Sequence, residues 1–157
     1  MNTALIVIDG VLRKTMGGQP IPEGIRLYRS LVMTGEVVLL ADDTETARTL
    51  DWLDLAGLVK HAFVQWPWVP RANLADRANE LRRDGYGVDL VVTPSPADVM
   101  ILMEAGLNTL LFTHAQYAHP EWRPDTTKGV RPWYDITTQV ATAARLKAAD
   151  ERLAGES

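Results

Sequence analysis

Short, continuously apolar runs alternate along this chain with segments of helical spacing, and few folds accommodate that alternation. The apolar runs fall at residues 5–8, 36–40, 59–64, 88–92 and 108–112, each too short for a stable helix. Between them, residues 23–33, 44–55, 74–83 and 97–105 carry helical periodicity. Gly57, Gly85 and Gly106 stand where the last three of these helices should stop. Strands that alternate with helices pair in parallel through right-handed crossovers. Runs that are apolar throughout suit a sheet covered on both faces. The expectation is a three-layer α/β fold, Rossmann-like, with a five-stranded parallel sheet.

At 157 residues, with 46% hydrophobic and 23% charged side chains, the chain suits one globular domain. It divides into a core over 1–112, a proline- and tryptophan-rich strap over 113–134, and a final helix and charged tail over 135–157. The final helix, from about 136 to 153, has a modest apolar face including Val140, Ala144, Leu146 and Leu153, and reads as a solvated surface helix or as a homodimer seam. A formal charge of -4 argues against broad attraction to nucleic acid or an anionic membrane. The absence of cysteine removes disulfides, thiolate nucleophiles and cysteine zinc sites. The first apolar run lacks a basic flank and is too short for a signal peptide core or a membrane span, so the expected compartment is cytoplasmic.

In open parallel sheets, ligands sit beyond the carboxyl ends of the strands. Those ends carry Asp9-Gly10-Val11, Ala41-Asp42-Asp43-Thr44, Gln65-Trp66-Pro67 and Thr93-Pro94-Ser95-Pro96. Asp9 reads either as a chemical group or as a carboxylate that ties down the turn before Gly10. Asp42 and Asp43 could gather a ligand or a divalent cation with Asp9, or could serve with Thr44 to start the next helix. Ser95 is expected to cap a helix that has Pro96 at its first position and Asp98 in its first turn, where exposed amides could bind an anion.

With these residues in place, the chain resembles the haloacid dehalogenase-like (HAD) superfamily over residues 4–112, and within it the small phage polynucleotide 3′-phosphatase-like proteins. The family's first motif, Asp-x-Asp-Gly-Thr/Val, is met by Val7-Ile8-Asp9-Gly10-Val11, with valine in place of the nucleophile. Ala41 stands where the family has a phosphate-binding Ser or Thr, and Thr93 and Pro94 stand where it has an acidic pair. Arg77 is the nearest candidate for the third-motif cation that holds phosphate. The resemblance implies strand order 3-2-1-4-5 and assigns Asp9 to the general acid/base position, vestigial once the nucleophile is gone. It also implies Mg²⁺, with Asp9 as a weak ligand, if the chain is active; otherwise no cofactor is expected.

Two aromatic stretches complete the candidates. "VQWPWVPRAN" places Trp66 and Trp68 beside the third strand, as a lid or an interaction patch. "FTHAQYAHPEWRPDTTKGVRPWYDI" contains His114, His119 and Glu121, whose spacing matches no common zinc pattern. Its Trp122 and Arg123 could stack on a base and clamp a phosphate, or anchor the strap against the domain. Two function classes follow. One is a pseudophosphatase serving as a binding or assembly module for a protein partner, with a small phosphorylated ligand or a nucleic-acid end as lesser choices. The other is a Mg²⁺-dependent phosphomonoester hydrolase that uses Asp9 with Asp42 or Asp43.

Overall fold

The computed structural model describes residues 2–14, 18–42, 45–67, 72–114 and 145. Strands β1 (Asn2–Val7), β2 (Glu36–Leu40), β3 (Phe63–Gln65), β4 (Gly87–Thr93) and β5 (Thr109–Leu111) alternate with helices α1 (Pro22–Thr34), α2 (Thr46–Leu55), α3 (Leu74–Arg83) and α4 (Pro96–Glu104). All pairings are parallel and the order is β3-β2-β1-β4-β5, as expected. Leu5, Ile6, Val38, Leu39, Val91 and Val92 in the three central strands have no exposed surface, which is why these runs are apolar without alternation.

Order reverses at β1. The chain steps from β1 to β2 and β3 in one direction, crosses back through α3, and continues through β4 to β5 in the other. The loops after β1 and β4 therefore diverge, and a cleft opens between them at the carboxyl edge. Gly10, at φ +97°, closes the floor of this gap: a Cβ there would lie 2.6 Å from Pro94 Cγ.

After β1 the chain makes one helical turn, in which the Ile8 carbonyl accepts from the Leu12 and Arg13 amides. It then runs out and returns, with the Lys14 amide bonded to the Gln19 carbonyl and the Ile21 amide to Leu12. Helix α1 is pressed against this turn, since a Cβ on Gly24 would collide with the Val11 carbonyl oxygen at 1.6 Å.

Several boundaries differ from expectation for local reasons. Residues 59–62 do not extend β3, because the Lys60 and His61 amides bond to the buried Tyr28 hydroxyl and strand pairing begins only at Phe63. Helix α2 starts at Thr46 with Glu45 as its N-cap, in place of a start at Thr44. Ser95 is the N-cap of α4, but its side chain makes no cap hydrogen bond; the Thr93 hydroxyl instead accepts from the Ser95 amide.

Candidate functional site

The cleft has two chambers that share Asp9 and Asp42 on their walls. The smaller, about 290 Å³, lies directly over the ends of β1 and β4 and is lined by Val7, Thr93, Pro94, Ser95 and Asp98, with Asn73 and Leu74 from the start of α3. The larger, about 730 Å³, lies between the loop after β1 and helix α2, and is lined by Arg13, Lys14, Arg48, Thr49 and Trp52 among others.

Two arginine–aspartate pairs organise the walls. Arg13 Nε donates to Asp9 Oδ1 at 2.7 Å and its Nη2 to Asp9 Oδ2 at 3.4 Å. The same Nη2 donates to the buried Thr49 hydroxyl at 3.1 Å, tying the loop to α2. The guanidinium stacks over Trp52 at 5.4 Å from the ring centre, and Trp52 Nε1 donates to the Gly18 carbonyl at 2.8 Å. Asp9 is thus held by a cation four residues along the chain, which supplies a fuller account than a turn-capping role alone.

The second pair is built on Arg77, whose side chain is buried beneath the cleft with 1% exposure. Its Nε donates to Gln65 Oε1, its Nη2 to the carbonyls of Ala41 and Gln65, and its Nη1 to Asp42 Oδ1 at 2.9 Å. These bonds clamp the carboxyl ends of β2 and β3 and set the position of Asp42, which is itself largely exposed. Burial pulls the guanidinium below its ordinary pKa, and Asp42 opposes that pull. Arg77 is a candidate phosphate ligand in the sequence; in the structure its buried guanidinium bonds Gln65, the Ala41 carbonyl and the cleft-wall carboxylate of Asp42.

Asp98 is the cleft carboxylate that the sequence reading treated only as part of a helix start. Side chains on a helix lean toward its N-terminus, so the first turn of α4 delivers Asp98 back into the smaller chamber. Burial raises its pKa; a hydrogen bond from the Thr93 hydroxyl opposes the rise and the Asp42 carboxylate adds to it. Arg13, Thr49 and Trp52 were also missed. Arg13 lies 36 or more residues from the other two, across the loop and α2, so no local motif marks the set.

The remaining candidates divide plainly. Trp66 is half-buried against the core, at the end of β3, and lines neither chamber. Asp43, Trp68, Trp122 and Arg123 lie outside the described residues, as do His119 and Glu121. His114 pairs with Glu23 on α1 at 3.0 Å.

The carboxylates do not amount to a metal centre. Asp9, Asp42 and Asp98 accept from Arg13, Arg77 and Thr93 respectively. Among the described residues, no group of three or more His, Cys, Asp or Glu side chains is placed to hold a metal ion.

Fold and cleft together define a doubly wound α/β protein with an open cleft at its topological switch point, where charged side chains stand among apolar walls. Comparison with protein-family models, with curated proteins and with solved structures gives no match. No helix among the described residues is long and apolar enough to cross a membrane.

Proposed function

We propose that this chain is a degenerate HAD-like protein that uses the cleft as a binding module and does not transfer phosphate. The observation that carries the reading is Val7. Its side chain lines the chamber at the carboxyl end of β1, where an aspartyl nucleophile would be needed, and an isopropyl group cannot attack phosphorus. Two further arrangements support it. Arg77 is committed to protein carbonyls, and Asp9, the carboxylate next in line, is bridged by Arg13.

The opposing reading, a metal-dependent hydrolase of rebuilt mechanism, draws on the three carboxylates around the smaller chamber. It requires them to release their present partners and converge on a cation, and the described geometry favours binding.

The test is phosphate release from a panel of phosphomonoesters, including a 3′-phosphorylated oligonucleotide, with and without Mg²⁺, for the unmodified chain and Asp9→Asn. The expected result is no turnover by either protein. Metal-dependent turnover that disappears in Asp9→Asn overturns the proposal.

A further inference from the structure

Thr49 and Trp52 lie three residues apart on α2 and so share one face of that helix. Asp9 stands across from them in the loop after β1, and the Arg13 guanidinium fills the space between. Its Nε and Nη2 donate to the two Asp9 oxygens at 2.7 and 3.4 Å, Nη2 also donates to the Thr49 hydroxyl at 3.1 Å, and the group lies over the Trp52 ring at 5.4 Å. A carboxylate met by two donors, a hydroxyl acceptor and an indole face together recognise a guanidinium, and they suit an anion poorly.

This seat is held in place by bonds that do not involve its occupant's side chain. Trp52 is fixed by its donation to the Gly18 carbonyl and by packing against the core. The Arg13 backbone is anchored through its amide to the Ile8 carbonyl and through its carbonyl to the Gly10 amide, so the side chain leaves the seat by rotation about its own bonds. Asp9, Arg13, Thr49 and Trp52 all line the larger chamber, whose volume of about 730 Å³ lies within the range of small-molecule sites and far exceeds one guanidinium. Among the described residues, the other charged groups on its wall are Asp42, Glu45 and Asp51 against Lys14 and Arg48. Asp42 is answered from below by Arg77 and Glu45 by Arg48, so the wall left when Arg13 swings away sets Asp9 and Asp51 against Lys14 and draws a cation. Trp52 and Leu55 add apolar surface for the stem that carries such a cation.

We infer that the larger chamber is a binding site for a guanidinium-bearing ligand, and that Arg13 is its resident competitor, seated where the ligand's own guanidinium goes. The ligand exchanges like for like at Asp9, Thr49 and Trp52, and its stem takes up the rest of the chamber. The site deepens the reading of the cleft as a binding module and rests on it. Its chemistry is that of an alkylguanidine, carried either by a small molecule or by an arginine of a partner polypeptide.

The test follows the Trp52 indole N–H signal in proton–nitrogen correlation spectra of the full chain, assigned by its absence from Trp52→Phe, as butylguanidinium is added. The expected result is a saturable shift that Asp9→Asn abolishes and that Arg13→Ala reaches at about one-tenth of the concentration, as for a seat that its competitor leaves open about a tenth of the time. Butylammonium, which carries the charge without the planar fork, should bind at least about tenfold more weakly. The inference is overturned by the lack of a saturable shift in both the unmodified chain and Arg13→Ala, by a shift that survives Asp9→Asn, or by equal affinity with and without Arg13. Where Arg13→Ala does not fold, Arg13→Gln removes the competing charge and gives the same comparison. A Gly-Arg-Gly peptide with blocked ends, titrated beside butylguanidinium, tells a partner's arginine from a small alkylguanidine by which of the two binds more tightly. A silent titration removes the guanidinium site alone, whereas metal-dependent phosphate release removes the binding-module reading itself.

Discussion

Two arginines each hold a cleft aspartate, and they do so in opposite ways. Arg77 is an interior strut: one buried guanidinium satisfies two strand-end carbonyls, a buried glutamine and Asp42, so the pair is inseparable from the sheet. Arg13 is a local fastening: it meets Asp9 one turn away and leans on Trp52 and Thr49, all of which lie on the cleft wall. The contrast teaches where the cleft can adapt. Its Arg77 side is part of the core, whereas its Arg13 side depends on a loop and the face of one helix.

The largest expected effect tests the strut. Arg77→Met removes a donor from each of the Ala41 and Gln65 carbonyls, the latter keeping the Ala41 amide, and breaks the bonds to the Gln65 side chain and Asp42; the loss should cost on the order of 3 kcal/mol of stability in urea unfolding. A loss below about 1 kcal/mol would show that water or a neighbour replaces the guanidinium. Trp52→Ala comes next. It removes the bond to Gly18, the contact with Arg13 and part of the packing of α2, for a loss of about 2 kcal/mol. Fast hydrogen exchange at the Lys14 amide should accompany it, because the returning loop is then untethered. Asp9→Asn, on the adaptable side, should cost only about 1 kcal/mol, measured by the same unfolding experiment. An equal cost for Asp9→Asn and Arg77→Met would erase the distinction between the two pairs.

The smallest effect concerns a third buried contact, away from both pairs. Tyr28 accepts from the Lys60 and His61 amides, which leaves its hydroxyl proton for His61 Nδ1 at 2.8 Å. Burial lowers the His61 pKa from its ordinary value near 6.5, against a smaller opposing pull from Asp54, so the native state favours neutral imidazole. That contribution is complete above the unfolded-state pKa and is lost as pH falls below it toward the native value. Stability at pH 5 should therefore lie below that at pH 7.5, and His61→Gln should reduce the difference, as read from urea midpoints.

Much of the fold was legible in the sequence. Helix α3 falls at 74–83 as expected, because Asn73 supplies a side-chain cap to the Asp76 amide and the chain leaves the helix at Gly85 with φ +98°. Strand β2 falls at 36–40 because its apolar run is bounded by Gly35 and the polar residues after Ala41. The cleft was legible in its location and in Asp9 and Asp42, since strand ends at a switch point can be found from order alone. Its partners were not. The Arg13 contacts with Thr49 and Trp52 arise only when a loop meets α2, and the burial of Arg77 depends on two carbonyls that no side-chain pattern reveals. Asp98 was visible as a helix-start residue, but its inward direction follows from how α4 is set against β4.

The central proposal is that the end of β1 takes up no phosphoryl group, because Val7 stands there and Arg13 bridges Asp9 beside it. Intact-mass spectrometry of the unmodified chain after incubation with acetyl phosphate and Mg²⁺ tests this most directly. The account predicts a single species of unchanged mass; a one-phosphoryl adduct that maps to Asp9 and is absent from Asp9→Asn would contradict it.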